Sequence, residues 1–300
     1  MTAPLPTGCR HRTLATTTLS HMHIVEAGDP TAPLIVILHG FPEFWYSWRH
    51  QLTALAGDYH VVAPDLRGYG GTEKPETGYD VLTLAADIAA LIAALVAGEG
   101  PRRPVTLVGH DWGGVVAWVT ATVHPECISK LVIIDAPHPL AYLRCALRNP
   151  SQLLKSWYIA MFQVPGLFEW QFRRDPYRMM ARMLRGSAVQ RDVFTREEIQ
   201  HYVQAMADPK VLPRAMAYYR AVPSIVAILD ELRAPVLAPT LVLWGAGDPA
   251  LGTYLIDHCR SVVSGSFEAR VFADAGHWLQ QERPAEVSAA ISEFAARAPS

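Results

Sequence analysis

Asp111, Asp248 and His277 are the residues whose types and chain order suit covalent chemistry. Asp111 stands in "VTLVGHDWGGVVAW", residues 105–118, where a short apolar strand meets a glycine, an acid, more glycines and an apolar helix. A strand–turn–helix of this kind is a nucleophile elbow, which holds its central residue strained with the side chain exposed. Gly109 and Gly113, two before and two after, are expected because a Cβ at either place would collide in the tight turn. The usual central residue is Ser; here it is Asp. A serine needs a histidine to take its proton, whereas a carboxylate is already ionised near pH 7 and leaves the histidine free for a second step. Attack by that carboxylate on a strained or activated alkyl carbon gives an alkyl ester of Asp111. His277, in "DAGHWLQ", oriented by Asp248, in "GAGDPAL", would then activate water against the ester carbonyl. The oxyanion would rest on the backbone N–H groups of Trp112 and of Phe41 in "HGFP", donors worth on the order of 3 kcal/mol each. The ester breaks and Asp111 returns.

What leaves decides the reaction. A halide needs only soft N–H donors, but an alkoxide needs a proton from the far side of the carbon. Tyr158, Tyr202, Tyr218 and Tyr219 are candidate donors, since a phenol with a pKa of about 10 can protonate a developing alkoxide at neutral pH. Asp135, which ends its own strand, rivals Asp248 as the acid, and Asp248 is preferred. His39 and His110 lie within motifs and are read as organisers of loops.

Such groups must be positioned by elements, and the first half of the chain alternates strands and helices. Strands are expected at "HMHIVEAG", 34–38, 60–65, 105–108 and 130–135, with helices at 45–56, 82–98 and from the elbow to about 124. Strands at 240–245 and 268–274 and a closing helix at 285–298 resume the pattern. The alternation predicts an α/β fold, a mostly parallel sheet covered by helices, with ligands bound beyond the carboxyl ends of the strands. Asp111, Asp248, His277 and the HGFP loop all fall at such ends. Strand runs vanish between Pro137 and about Pro239, where aromatic, Met and Arg residues take over with helical spacing at 196–207 and 213–222. The expected division is a core of 1–136 and 240–300 with a helical cap of 137–239. Met179, Met180 and Met183 form a helical stripe, read as cap core, while Trp157, Phe168, Trp170 and Phe172 suit either a pocket wall or cap packing.

Length and composition narrow the classes. The 300 residues, half of them apolar, can bury a large core, and a net charge of −2 gives no support to a nucleic-acid or anionic-membrane partner. Cys9, Cys127, Cys145 and Cys259 are scattered without a CxxC pair, a pattern of a reducing compartment rather than of a disulfide framework. The first residues lack an apolar run of signal-peptide length, and no segment reaches the roughly 20 apolar residues needed to span a bilayer. A cytoplasmic protein without membrane insertion is expected. No histidine spacing suits a metal, and no cofactor is implied.

The segments "HGFPEFWYSWRHQ", "DLRGYGGT", "GHDWGG", "GAGDPAL" and "AGHW" resemble the α/β-hydrolase epoxide hydrolases of the soluble and bacterial type, over nearly the whole chain. The order nucleophile, acid, histidine is the one expected of an α/β-hydrolase triad. The resemblance implies an eight-stranded sheet with an inserted cap, and hydrolysis of a small apolar epoxide by water to a vicinal diol. It also implies ring-opening tyrosines at Tyr158, five residues before the Gln of "FQVPG", and at Tyr219, directly before the Arg of "YYR". Pro42 is expected to follow a cis peptide. Haloalkane dehalogenases share the Asp elbow, but many carry Asn where this chain has Phe41, which offers a halide no side-chain donor. Fluoroacetate dehalogenases place arginines just after the nucleophile, where this chain has Trp112 and Val115. A non-catalytic, receptor-like member of the fold would have no need of the water-activating pair. The epoxide, its stereochemistry and the oligomeric state, a homodimer included, stay open.

Overall fold

Runs of Val, Ile and Leu without charge build the centre of the sheet in the computed structural model, which describes residues 3–97 and 103–298. The strands are β1 (Cys9–Leu14), β2 (Met22–Ala27), β3 (Leu34–Leu38), β4 (His60–Pro64), β5 (Val105–His110), β6 (Lys130–Ile134), β7 (Thr240–Gly245) and β8 (Phe267–Phe272). Their order across the sheet is β1-β2-β4-β3-β5-β6-β7-β8. β1 pairs antiparallel with β2 and β2 antiparallel with β4; every pairing from β4 to β8 is parallel. The inner strands β3 to β7 are buried along their whole length, as a sheet covered on both faces requires.

The edges read differently. β1 is largely exposed, with Arg10, His11 and Arg12 in sequence, and β8 carries Glu268 and Arg270. Charge at an edge blocks pairing with a further strand. The same charge hides β1 from a search for apolar runs, and this strand was not expected from the sequence.

The helices outside the β6–β7 connection are α1 (Arg49–Leu55), α2 (Val81–Val96), α3 (Trp112–Val123), and, after β7, α11 (Leu255–Arg260), α12 (Leu279–Glu282) and α13 (Pro284–Ala296). The helix expected at 45–56 is split: Trp45–Trp48 forms a tight 3-10 turn before α1. Residue 98, the last of the helix expected at 82–98, lies outside the described residues. Between β6 and β7 the chain forms no strand and runs through α4 (Pro139–Ala146), α5 (Pro150–Lys155), α6 (Trp157–Phe162), α7 (Leu167–Arg174), α8 (Pro176–Ser187), α9 (Arg196–Ala205) and α10 (Val211–Arg220). Phe162, Phe168, Phe172, Met180, Leu184 and Phe194 are buried among them, each such side chain contributing about 1.5–3 kcal/mol. Met179 and Met183 pack at the margin of the same core. No helix among the described residues is long and apolar enough to cross a membrane.

Because β3 to β8 run in parallel, their carboxyl ends share one edge of the sheet. The HGFP loop leaves β3, Asp111 leaves β5, Asp135 leaves β6, Asp248 follows β7 and His277 follows β8.

Candidate active site

Asp111 sits at the tip of the turn between β5 and α3 with φ 49° and ψ −122°, a conformation that residues with a Cβ rarely adopt. The turn closes because strand and helix backbones touch. A Cβ on Gly109 would strike the Gly113 carbonyl, and one on Gly113 would strike the Leu38 carbonyl. The carboxylate is held at both oxygens. Oδ1 accepts from the Phe41 N–H at 2.8 Å, and Oδ2 lies 3.5 Å from His277 Nε2. The Phe41–Pro42 peptide is cis. For the second expected donor, the Trp112 N–H, no such bond is seen to this carboxylate; Trp112 instead engages Tyr219 through its side chain.

His277 Nδ1 donates to Asp248 Oδ2 at 2.7 Å. The other oxygen of Asp248 accepts from the N–H groups of Ala250 at 2.7 Å and Leu251 at 2.9 Å. Burial disfavours the imidazolium of His277, but the Asp248 charge and the bond to Asp111 outweigh it and hold the ring's pKa well above its ordinary value. Asp135 is the other carboxyl at this edge. It is fully buried at φ 45°; Oδ1 accepts from the Gly245 N–H at 2.8 Å and Oδ2 has no partner. Burial, and then the Asp248 charge, push its pKa well above the usual carboxylate range. The histidine's hydrogen bond therefore belongs to Asp248, and burial pushes Asp135 toward its neutral form.

A second network lies beneath the first, and sequence reasoning missed its centre. Glu43 Oε2 accepts from His110 Nδ1 at 2.7 Å and from the Gly40 N–H at 3.0 Å, and its Oε1 accepts from Gln280 at 3.0 Å. Burial raises its pKa, but the bonds to His110 and Gly40 prevail and bring it down to about 2. His110 Nε2 donates onward to the His277 carbonyl at 2.8 Å. One buried carboxylate thus fastens the loop carrying Phe41, the residue before Asp111 and the backbone of His277. The signal was present: a lone charge inside the apolar run "LIVILHGFPEFW" must find partners if buried. His39 does comparable work nearby, donating to the Gly40 carbonyl and accepting from the Leu66 N–H. Arg67 of "DLRGYGG" pairs with Asp87 through two bonds of 2.6 and 2.8 Å.

Asp111 opens into a cavity of about 500 Å³ whose walls are mostly apolar, among them Val115, Leu143, Ile159, Ile225 and Leu251. Tyr158 and Tyr219 line it as well, with ring centres 6.2 Å apart. Burial and then the Asp111 charge drive both phenols' pKa values upward, so both stay protonated. Tyr218 and Tyr202 are turned elsewhere: Tyr218 donates to the Arg67 carbonyl at 2.8 Å, and Tyr202 bonds with Ser47 at 3.2 Å. Trp157 lines the cavity while largely exposed; Phe168 and Phe172 pack inside the helices, and Trp170 is exposed beneath Arg174. No group of His, Cys, Asp and Glu suited to hold a metal occurs among the described residues.

Against known proteins, the sequence model described as "alpha/beta hydrolase fold" matches residues 33–284. Epoxide hydrolase 4 from Homo sapiens is 36% identical over 278 residues, covering 91% of this chain and 75% of that protein. Among solved structures, Cfl2 from Burkholderia cenocepacia superposes with a TM-score of 0.86 at 29% identity, over 98% of each chain. Epoxide Hydrolase A from Mycobacterium thermoresistibile superposes with a TM-score of 0.80 at 32% identity, covering 95% of this chain and 98% of that one.

Proposed function

We propose a two-step mechanism for this chain, which belongs to the α/β-hydrolase fold family and, within it, to the epoxide hydrolases. In the first step Asp111 Oδ2 attacks one carbon of an apolar epoxide held in the cavity, and the carbon–oxygen bond breaks. The electron pair passes to the ring oxygen, which takes a proton from the phenol of Tyr158 or Tyr219. An ester of Asp111 results. In the second step His277 takes a proton from water as the water oxygen attacks Cγ of Asp111. Charge gathers on Oδ1, the atom already bonded to the Phe41 N–H, where a donor is worth on the order of 3 kcal/mol in the transition state. Collapse expels the former Oδ2 as a diol hydroxyl that takes its proton from the imidazolium of His277; water's oxygen remains in Asp111, and the proton of the new carboxyl group restores the phenol.

The observation that carries this reading is the line Asp111–His277–Asp248, with both Nε2 and Nδ1 committed, facing two protonated phenols across one apolar cavity. Alkylation also explains how a histidine that favours its charged form can serve as a base. Esterified Asp111 has no charge, so one of the two carboxylates that stabilised the imidazolium disappears and the ring becomes easier to deprotonate. The phenols favour an epoxide over a haloalkane, whose leaving halide needs no proton. On this reading 137–239 is a cap that closes over a cytoplasmic, cofactor-free enzyme.

His277→Gln tests the scheme. On mixing with an epoxide such as styrene oxide, the protein's mass should rise by the mass of the whole epoxide, and the modified residue should map to Asp111. Normal diol formation with no added mass would remove His277 from its role.

A further inference from the structure

Gln152 sits on the short helix α5, outside the cavity, yet it is completely buried and all four hydrogen-bonding positions of its amide are occupied. Nε2 donates to the Ala250 carbonyl at 2.8 Å and to Ser156 Oγ at 3.0 Å. Oε1 accepts from the Tyr254 hydroxyl at 2.7 Å and, more weakly, from the Gly252 N–H at 3.5 Å. A carbonyl only accepts and a backbone N–H only donates, so these partners fix which end of the amide is which.

The bond to Ala250 matters most. Its carbonyl and the Leu251 N–H belong to one planar peptide unit, and that N–H is one of the two donors holding Asp248 Oδ1. The line therefore runs from Gln152 through one rigid plane to Asp248, and from Asp248 Oδ2 to His277 Nδ1. Each bond in such a series polarises the next. At its other end Gln152 holds Ser156, two residues before Tyr158, in the segment that lines the cavity.

We infer that Gln152 is a positioning residue of the ester-hydrolysis step: it fixes the loop that aims Asp248 at His277, and it ties that loop to the segment carrying Tyr158. The inference rests on the two-step reading above. It gives the helices after β6 a part in the second half-reaction as well as the first.

Gln152→Met keeps the side chain's length and removes both donors and both acceptors. Alkylation and ester hydrolysis are followed separately by rapid quench and intact mass, using styrene oxide, with Asp248→Asn run alongside. Hydrolysis in the Met variant should slow by about 10- to 100-fold, the range seen when a partner that orients a metal ligand is lost, while alkylation, for which the Tyr219 phenol remains in place, changes by less than about threefold. The acid limb of the hydrolysis rate should also move to lower pH, because a displaced Asp248 stabilises the imidazolium less. Uniform slowing of both steps, or an unmoved limb, would assign Gln152 to packing alone and overturn the inference. If Asp248→Asn lengthens the ester's lifetime and Gln152→Met does not, the inference fails and the mechanism stands. If Asp248→Asn has no effect on hydrolysis, the mechanism itself fails. Should Gln152→Met not fold, Tyr254→Phe decides: an ester lifetime about two- to fivefold longer supports the role, and an unchanged lifetime overturns it.

Discussion

The two sides of the cavity are built by opposite means. On the sheet side backbone fixes both carboxylates of the proposed mechanism: Asp111 by a strained turn, its Oδ1 by the Phe41 N–H, and Asp248 by two peptide N–H groups. On the helical side the groups assigned to ring opening in the proposed mechanism are two phenols in an apolar wall, placed by ring packing against Phe162, Phe41 and Trp112. Fixed dipoles suit the side where charge must be held in one place. An apolar wall suits the side that, in the proposed mechanism, holds a carbon skeleton and offers only a proton. The difference assigns separate labours, and substitutions on the two sides should be separable in kinetics.

The sharpest attempt to break that division is the double change Tyr158→Phe and Tyr219→Phe. Ring opening should fall by about 10²- to 10⁴-fold, the usual worth of general-acid assistance, while an apolar amide inhibitor binds within a few-fold of normal. Rapid-quench alkylation rates and a binding titration measure the two quantities. Near-normal alkylation would reduce the phenols to wall residues.

The sheet side makes its own pH prediction. In the free enzyme His277 keeps its proton to well above the ordinary imidazole pH, because Asp248 and Asp111 both favour the charged ring. A raised folded-state pKa contributes stability that is complete below about pH 6.5 and is lost as pH rises through the folded value. In the ester only Asp248 remains charged. Single-turnover hydrolysis should therefore fail at a distinctly lower pH than that at which NMR sees His277 deprotonate in the free enzyme. Coincident values would deny the coupling to Asp111.

Smaller effects test the residues excluded from chemistry. Tyr218→Phe strands the buried Arg67 carbonyl and should cost about 1–3 kcal/mol of stability with alkylation unchanged, read by denaturant unfolding and rapid quench. Asp135→Asn should leave turnover nearly intact, since His277 bonds to Asp248 and Asn mimics the neutral form that burial favours. A raised carboxyl pKa supports the fold below the unfolded value near 3.9 and loses that support as pH climbs. The Asn variant's advantage in Tm should accordingly widen from pH 4 to pH 8.

The same contrast explains what could be read from the sequence. The elbow, the HGFP loop and the inner strands are contiguous and obey local rules, so their residue types suffice. Tyr218 and Tyr219 are a harder case, because neighbours on a helix point about 100° apart and sequence alone gives no direction. Only a short motif separated them, and the packing of α10 turns Tyr219 toward Asp111 and Tyr218 toward Arg67. The charge of Glu43 within an apolar run marked it as a residue in need of partners, but neither its partners nor those of Gln152 could be named. The partners that give them their places in the site lie far along the chain, at His110 and Gln280 and at residues 250–254, and no spacing rule joins them. β1 was missed because an exposed edge strand carries charge where the inner strands are continuous apolar runs.

The central claim is that the oxygen delivered to the substrate comes from Asp111. A single turnover in water enriched in oxygen-18, with enzyme in excess over epoxide, tests it directly by mass spectrometry of the diol and of the Asp111 peptide. The label should appear in the peptide and be missing from the diol. Label in the diol, with an unlabelled peptide, would mean that water attacks the epoxide itself and would contradict the mechanism.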